Sequence, residues 1–289
     1  MPGWLPAVAA ATTGIQVGAA IVATRYVIDQ THPASLALMR YAIGSICFLP
    51  PLLMSRRTCF ERRDLAPLAL LGITQFGILI ALLNFGLNYM PAARAALIFA
   101  TFPLLTMILA FLLGQERLNA TKALGVLLTI GGVGLALGEK AIKGGGANEW
   151  LGALAVLAGA LCGAVCSVLY RPYLRKYPAL EVSALAMLAS VGFLAVLAAG
   201  EGFFGALPRF TPGGWLAIGF IGIGSAAGYY LWLWALSHAT ATRVTVFLAL
   251  SPVTASGLGV ALLGERLSLM LLLGLACVAT GLVIAHQRP

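Results

Sequence analysis

Ten apolar stretches, each of about twenty residues, divide this 289-residue chain almost end to end, and no other feature restricts its fold as much. They run over 5–24, 33–54, 65–87, 92–114, 120–138, 150–170, 178–200, 213–236, 240–263 and 268–286. An α-helix rises 1.5 Å per residue, so about twenty apolar residues cross the ~30 Å hydrocarbon core of a bilayer. The runs are continuous rather than alternating, which excludes strands, and lipid requires every backbone polar group to be bonded within its own element. Only 9% of the residues are charged, against about 25% in a water-soluble domain. The sequence therefore describes an all-α integral membrane protein, and soluble multi-domain folds drop out. No cleavable signal is expected, because the first span follows Met1–Trp4 without a basic segment and takes part in an internal repeat.

That repeat is half the chain long. A slide of 149 residues pairs Ala92 with Ala241, Arg94 with Arg243, Pro103 with Pro252, Glu116-Arg117-Leu118 with Glu265-Arg266-Leu267, and Gly125 with Gly274. Nearer the start a slide of 145 pairs Gly14-x-x-x-Gly18 with Gly159-x-x-x-Gly163, and His32-Pro33-Ala34 with Tyr177-Pro178-Ala179. Each half, 1–143 and 144–289, then holds five spans. Five is odd, so the second half enters the membrane from the opposite side, the inverted-repeat plan of many secondary transporters. The two Glu-Arg-Leu copies fall where the fourth span of each half turns into the fifth, at opposite surfaces. Their plain reading is a polar interfacial turn, the Arg snorkelling and the Glu pairing locally; the sharper reading is a gate.

The formal net charge of +9 reads as topology rather than as nucleic-acid binding. With a cytoplasmic N-terminus the inner segments hold Arg56, Arg57, Arg62, Arg63, Arg117, Lys122, Arg171, Arg175, Lys176, Arg243 and Arg288. The outer segments hold Arg25, Arg94, Lys140, Lys143, Arg209 and Arg266, and Arg40 falls inside the second span. The excess places both termini in the cytoplasm and makes anionic lipid headgroups a partner. Cys47, Cys59, Cys162, Cys166 and Cys277 show no metal-binding spacing and read as small apolar packing residues.

Two five-span halves, each with a mid-helix proline in its fourth span and then a Gly–Glu-Arg-Leu–Gly turn (Gly114–Gly125 and Gly264–Gly274), resemble the EamA-type branch of the drug/metabolite transporter superfamily. Within it the chain looks most like the YddG-type aromatic amino-acid exporters of bacterial inner membranes. The resemblance covers essentially the whole chain. It implies ten transmembrane helices around a central cavity, lined mainly by the third, fourth, eighth and ninth spans with help from the first and sixth.

A transporter needs polar or aromatic groups at mid-membrane that face protein or water rather than lipid. The first span offers Thr12, Thr13 and Gln16, the third Gln75 and Asn84, and the eighth Ser225, Tyr229, Tyr230, Trp232 and Trp234. The ninth offers Phe247 and Ser251. Gln16 and Gln75 are either ligand contacts or helix–helix glue, since a glutamine deep in an apolar helix must find a partner. Asn84 reads as a boundary residue. Ser225, Tyr229 and Trp232 share one helix face, and Trp234 fits the interfacial belt. Pro103 and Pro252 each free a carbonyl one turn upstream, near Phe99 and Leu248, and serve as hinge, kink or substrate contact. Arg94 and Arg243 sit at interfaces, where either could close the cavity mouth on its own side. The glycine pairs, Gly224-x-x-x-Gly228 included, allow close helix approach. The expected substrate contacts are Gln16, Gln75, Phe99, Tyr229, Trp232, Phe247 and Ser251.

Nine acidic residues all fall in loops or at span ends. Small multidrug-resistance relatives place a Glu in their first span where this chain offers Gln16, which speaks against lipophilic cations and for a neutral or zwitterionic substrate. No G-x-x-x-x-G-K-[ST] appears, so ATP is not the driver, and His32, His238 and His286 lie in loops or ends, which argues against an enzyme. No cofactor and no metal site is expected. The reading is a monomeric inner-membrane exporter of amino acids, aromatic or hydrophobic ones first. Two rivals stand beside it: an exporter of other small metabolites or drugs, and an intramembrane scaffold or enzyme.

Overall fold

The computed structural model describes residues 4–54, 60–115, 148–206, 208–265 and 268–286, together with isolated helical positions between 121 and 135. Among these residues the chain is helical throughout, without strands. Nine long helices follow one another: α1 (Leu5–Val27), α2 (Pro33–Met54), α3 (Arg62–Leu87), α4 (Ala92–Leu112), α5 (Glu149–Leu174), α6 (Ala179–Gly200), α7 (Pro212–His238), α8 (Ala241–Leu263) and α9 (Leu269–His286). The first eight are long and apolar enough to cross a bilayer. Their limits fall within a few residues of the apolar runs; the fifth run, 120–138, lies almost wholly outside the described residues.

Prolines and caps set the helix limits. Pro33 and Pro212 stand at helix starts, where the missing N–H costs nothing. The Thr211 side chain caps α7 by accepting from Gly214 N at 3.1 Å. Gly264 ends α8 in the left-handed conformation (φ 64°), which a side chain would strain, and so turns Glu265 back over the bundle.

The two prolines of the repeat leave visible marks. In α4 the α-winding breaks at Ala100–Thr101, two residues before Pro103, and in α8 residues Val246–Ala249 tighten to a 3₁₀ turn before Pro252. In α3 the segment Ile73–Ile78 widens to π-winding, which turns Gln75 and Phe76 off the regular helical track.

Packing has a matched pattern. α1 lies against α7 and α8, while α5 lies against α3 and α4. Glycines make the first contact close: a Cβ on Gly14 would stand 2.1 Å from the Phe247 carbonyl oxygen, and one on Gly18 2.4 Å from that of Ser251. The α5 equivalents differ. A Cβ on Gly163 would meet the Phe102 ring at 2.0 Å, and one on Gly159 the Leu79 carbonyl at 3.1 Å.

Candidate functional site

The helices enclose a central cavity of about 80 Å³. A water molecule needs roughly 10–15 Å³ on this measure, so the space holds several waters, and drug-sized ligand sites are larger, ~300–1,000 Å³. Its wall climbs α1 along Thr13, Gln16, Val17, Ala20, Ile21 and Thr24. Beyond Thr24 a wider vestibule of about 400 Å³ begins, bounded by Arg25, Asp29, Asn88–Pro91, Leu263 and Glu265. These residues mark one membrane face, the Glu265 end, and the opposite face is the Lys176 end.

Aromatic rings form much of the wall. Phe76 stands between Tyr41 and Tyr229, with ring centroids 4.8 and 4.1 Å away and both pairs edge to face. Toward the Lys176 end Phe102 meets Trp232 at 6.0 Å and 85° and Phe99 at 5.4 Å, and Tyr170 meets Tyr229 at 6.4 Å. Of these rings Phe99, Phe102 and Trp232 floor the cavity.

Polar atoms in this wall lack partners. Gln16 lies over the glycines of α7, its amide 2.8–2.9 Å from where Cβ atoms on Gly224 and Gly228 would be, so that glycine pair makes room for a side chain rather than for a helix. Its neighbour Thr13 donates to Gly228 O at 3.1 Å and to Ala9 O at 2.9 Å. Gln16 Nε2 and Gln75 Oε1 are buried without a hydrogen bond, while the buried Tyr229 hydroxyl faces that of Tyr170. A buried polar atom left unpaired costs ~1–3 kcal/mol, so these atoms favour a partner inside the cavity, whether water or solute.

Of the residues singled out from sequence, Gln16, Gln75, Phe99, Tyr229 and Trp232 line the cavity together. Phe247 and Ser251 stand instead at the α1–α8 crossing, their carbonyls against Gly14 and Gly18, with the Ser251 side chain wholly buried. Leu248, in the same 3₁₀ turn, reaches the cavity. Thr12 is exposed on the outer surface of α1, and Tyr230 is 36% exposed. Asn84 donates to Pro33 O at 3.0 Å, a tie near a helix end. Trp234 packs on His238 at the end of α7.

Arg40 escaped the sequence search. Counted there only as a charge inside a span, it is buried, lines the cavity, and donates from Nε to Ser225 Oγ at 2.6 Å. A charge at the bilayer centre costs ~2.5–3.5 kcal/mol on insertion scales. The available signal was a lone arginine eight residues into an apolar run with no acid in that run.

Glu265 was expected to pair locally, with Arg266 outside the described residues; among the described residues its partners lie far away in sequence. It reaches across to the first half, accepting from Ala92 N at 2.7 Å and Ala93 N at 3.2 Å, and so caps α4. Glu116, Arg117, Leu118, Arg266 and Leu267 lie outside the described residues. Arg94 pairs with Glu149 at the start of α5, whereas Arg243 is exposed. At the Lys176 end, Lys176 bridges Glu61 and Asp64, and Tyr177 donates to Asp64 Oδ2 at 2.7 Å. The Lys176 bond holds the exposed Glu61 carboxyl below its ordinary range.

A bundle of membrane-length helices around a part-polar cavity, without a nucleotide-binding motif, has the build of a solute transporter. The sequence matches the model of the EamA-like transporter family twice, over residues 4–138 and 150–286, and the chain belongs to that family. It is 29% identical over 280 residues (96% of this chain, 91% of the relative) to the "Probable terminal-alkyne amino-acid exporter" of Streptantibioticus cattleyicolor. It is 27% identical to an uncharacterized transporter of Archaeoglobus fulgidus, covering 94% of this chain and 95% of the relative. It is also 27% identical to the uncharacterized inner membrane transporter YedA of Escherichia coli, covering 92% and 86%. A solved structure at 22% identity superposes with a TM-score of 0.73 over 96% of this chain and 95% of that one, a likeness of fold.

Proposed function

We propose that this chain is a secondary transporter that exports amino acids, bulky aromatic and hydrophobic ones first, across the bacterial inner membrane by alternating access. The observation that carries the reading is the cavity itself, where Gln16 Nε2 and Gln75 Oε1 stand unpaired beside the Tyr41–Phe76–Tyr229 rings. Unpaired donor and acceptor atoms suit the two ends of a zwitterion, and the rings suit an apolar side chain. The printed activity of the Streptantibioticus relative, an amino-acid exporter, supports the same class.

The working architecture is ten helices in two inverted repeats, 1–143 and 144–289, with both termini cytoplasmic, acting as a monomer and not as an enzyme. The matched contacts of α1 with α7 and α8 and of α5 with α3 and α4 support it, as does the doubled family match. Pro103 and Pro252 serve as hinges, since winding changes just before each, and Phe247 and Ser251 approach substrate only if α8 moves against α1. Reporter tags at Lys143 and at the carboxyl end should report opposite compartments; the same compartment would refute the inverted plan.

Uptake into proteoliposomes of labelled phenylalanine, glutamine and a quaternary ammonium dye tests the substrate class. Phenylalanine is expected to move fastest, and movement of the dye alone would reject the reading. Tyr229→Ala should lower transport several-fold at unchanged membrane abundance.

A further inference from the structure

We infer that Arg40 is the carboxylate anchor of the transport site, so that cargo is chosen by a free carboxylate and amines without one are refused. This rests on the transporter reading above and names the group that it left open.

Arg40 meets Ser225, the central residue of α7, and Ser225 in turn donates to Ile221 O at 2.6 Å. The Nε contact therefore fixes one edge of the guanidinium near mid-membrane. The Tyr41 ring lies 5.3 Å from Cζ and steadies it from the side. Four of the five N–H donors belong to the two terminal nitrogens, and among the described residues none of these donates to protein. Among the described residues no acid pairs with Arg40; the pairs found there serve other cations, Arg25, Arg63, Arg94 and Lys176 among them.

A buried cation inside a membrane protein is retained where a counter-charge visits it. Here the cavity on which Arg40 borders is the place such a charge can come from. The planar guanidinium fork matches a carboxylate with two parallel bonds, which an ammonium ion, an ester or an amide cannot supply. Gln16 sits at the same height, over Gly224 and Gly228 on either side of Ser225, and its unpaired Nε2 adds a donor. Gln75 Oε1, the unpaired acceptor, and the aromatic faces remain for the ammonium end and the side chain.

The test is competition against labelled phenylalanine in proteoliposomes, together with ligand-induced thermal shifts of detergent-solubilised protein. The probes are phenylalanine, its methyl ester, phenethylamine, 3-phenylpropionate and inorganic phosphate. For the wild type, phenylalanine and phenylpropionate should compete, whereas ester and amine should be at least tenfold weaker. Arg40→Gln should lose tenfold or more in apparent affinity for the carboxylates and close that gap, and Arg40→Lys should fall between. Equal competition by acid and ester in the wild type would overturn the assignment, even if phenylalanine is transported. Stronger protection by phosphate than by phenylpropionate would overturn it in favour of another anion. Should phenylalanine itself not move while phenylpropionate shifts the wild type and not Arg40→Gln, the amino-acid reading fails and the anchor stands. If Arg40→Gln does not fold, Ser225→Ala keeps the charge but frees the fork, and the acid should then lose affinity relative to the ester.

Discussion

The two ends of the cavity are built from different materials. At the Glu265 end, beside the Arg25–Asp29 and Arg94–Glu149 pairs, two carboxylates hold backbone of distant helices: Glu265 caps α4 through Ala92 and Ala93, and Glu201 caps α2 through Ala34 N at 3.0 Å and Ser35 N at 2.7 Å. The vestibule opens beside Glu265. At the Lys176 end, where rings close the floor, no carboxylate cap among the described residues joins two helices, and the carboxylates of Glu61 and Asp64 hold Lys176 instead. Helix caps bind one element rigidly to another, whereas exposed ion pairs part cheaply. In the proposed cycle the Lys176 end is thus the one made to open next, while α8 travels with the start of α4, and α6 with the start of α2.

The same contrast runs through the glycine crossings and gives the largest expected effect. α1 lies on α8 backbone to backbone, so Gly14→Ala has no side chain to push aside and should cost ~1–3 kcal/mol, seen as a lower melting temperature and lost transport. Gly163→Ala meets the Phe102 ring, which turns on its own torsions. It should cost less than half as much stability yet change transport, because Phe102 floors the cavity. Equal stability losses for the two variants would erase the distinction between the crossings.

A second prediction concerns the caps. Glu265→Ala leaves two amides at the start of α4 without their acceptor and should cost ~0.5–2 kcal/mol. Glu265→Gln keeps an acceptor oxygen but loses the charge that favours a helix N-terminus, and should recover part of that loss. The melting temperatures should order wild type, Gln, Ala. If Ala matches the wild type, the cap does not join the halves.

Where the sequence was legible, the cause was local. Apolar runs show span limits because lipid tolerates nothing else, and Pro103 and Pro252 show broken winding because the missing N–H acts within a turn. Gln16, Gln75 and Tyr229 could be picked out because a polar group in an apolar helix is conspicuous by itself. What escaped depended on partners far along the chain. Phe247 and Ser251 share a helix with cavity-lining Leu248, and only the crossing of α1 over Gly14 and Gly18 turns their carbonyls away from it. Glu265 looked like a surface turn because its amides lie 172 and 173 residues earlier. Arg40 was absorbed into a charge count, and its meaning depends on Ser225, 185 residues away.

The smallest effect belongs to the Lys176 end, and it is one of pH. The Lys176 bond lowers the pKa of Glu61 from its ordinary 4.5, so the stabilisation is present above that value and is lost as pH falls through the lowered one. Lys176 is raised above its ordinary 10.5 by Asp64 and then Glu61, so its share is complete below 10.5 and is lost only at higher, strongly alkaline pH. Between about pH 5 and 10 the network should therefore stay intact, and transport limited by opening of this end should be flat there. Lys176→Met removes the largest cause of the Glu61 shift, leaving Arg63, and should move the acid limb of the pH profile part of the way up toward 4.5, with little change in melting temperature at neutral pH, because the pairs are solvent-screened. An acid limb that stays in place in Lys176→Met would assign it to some other group and leave the Lys176 end closed by its aromatic floor alone.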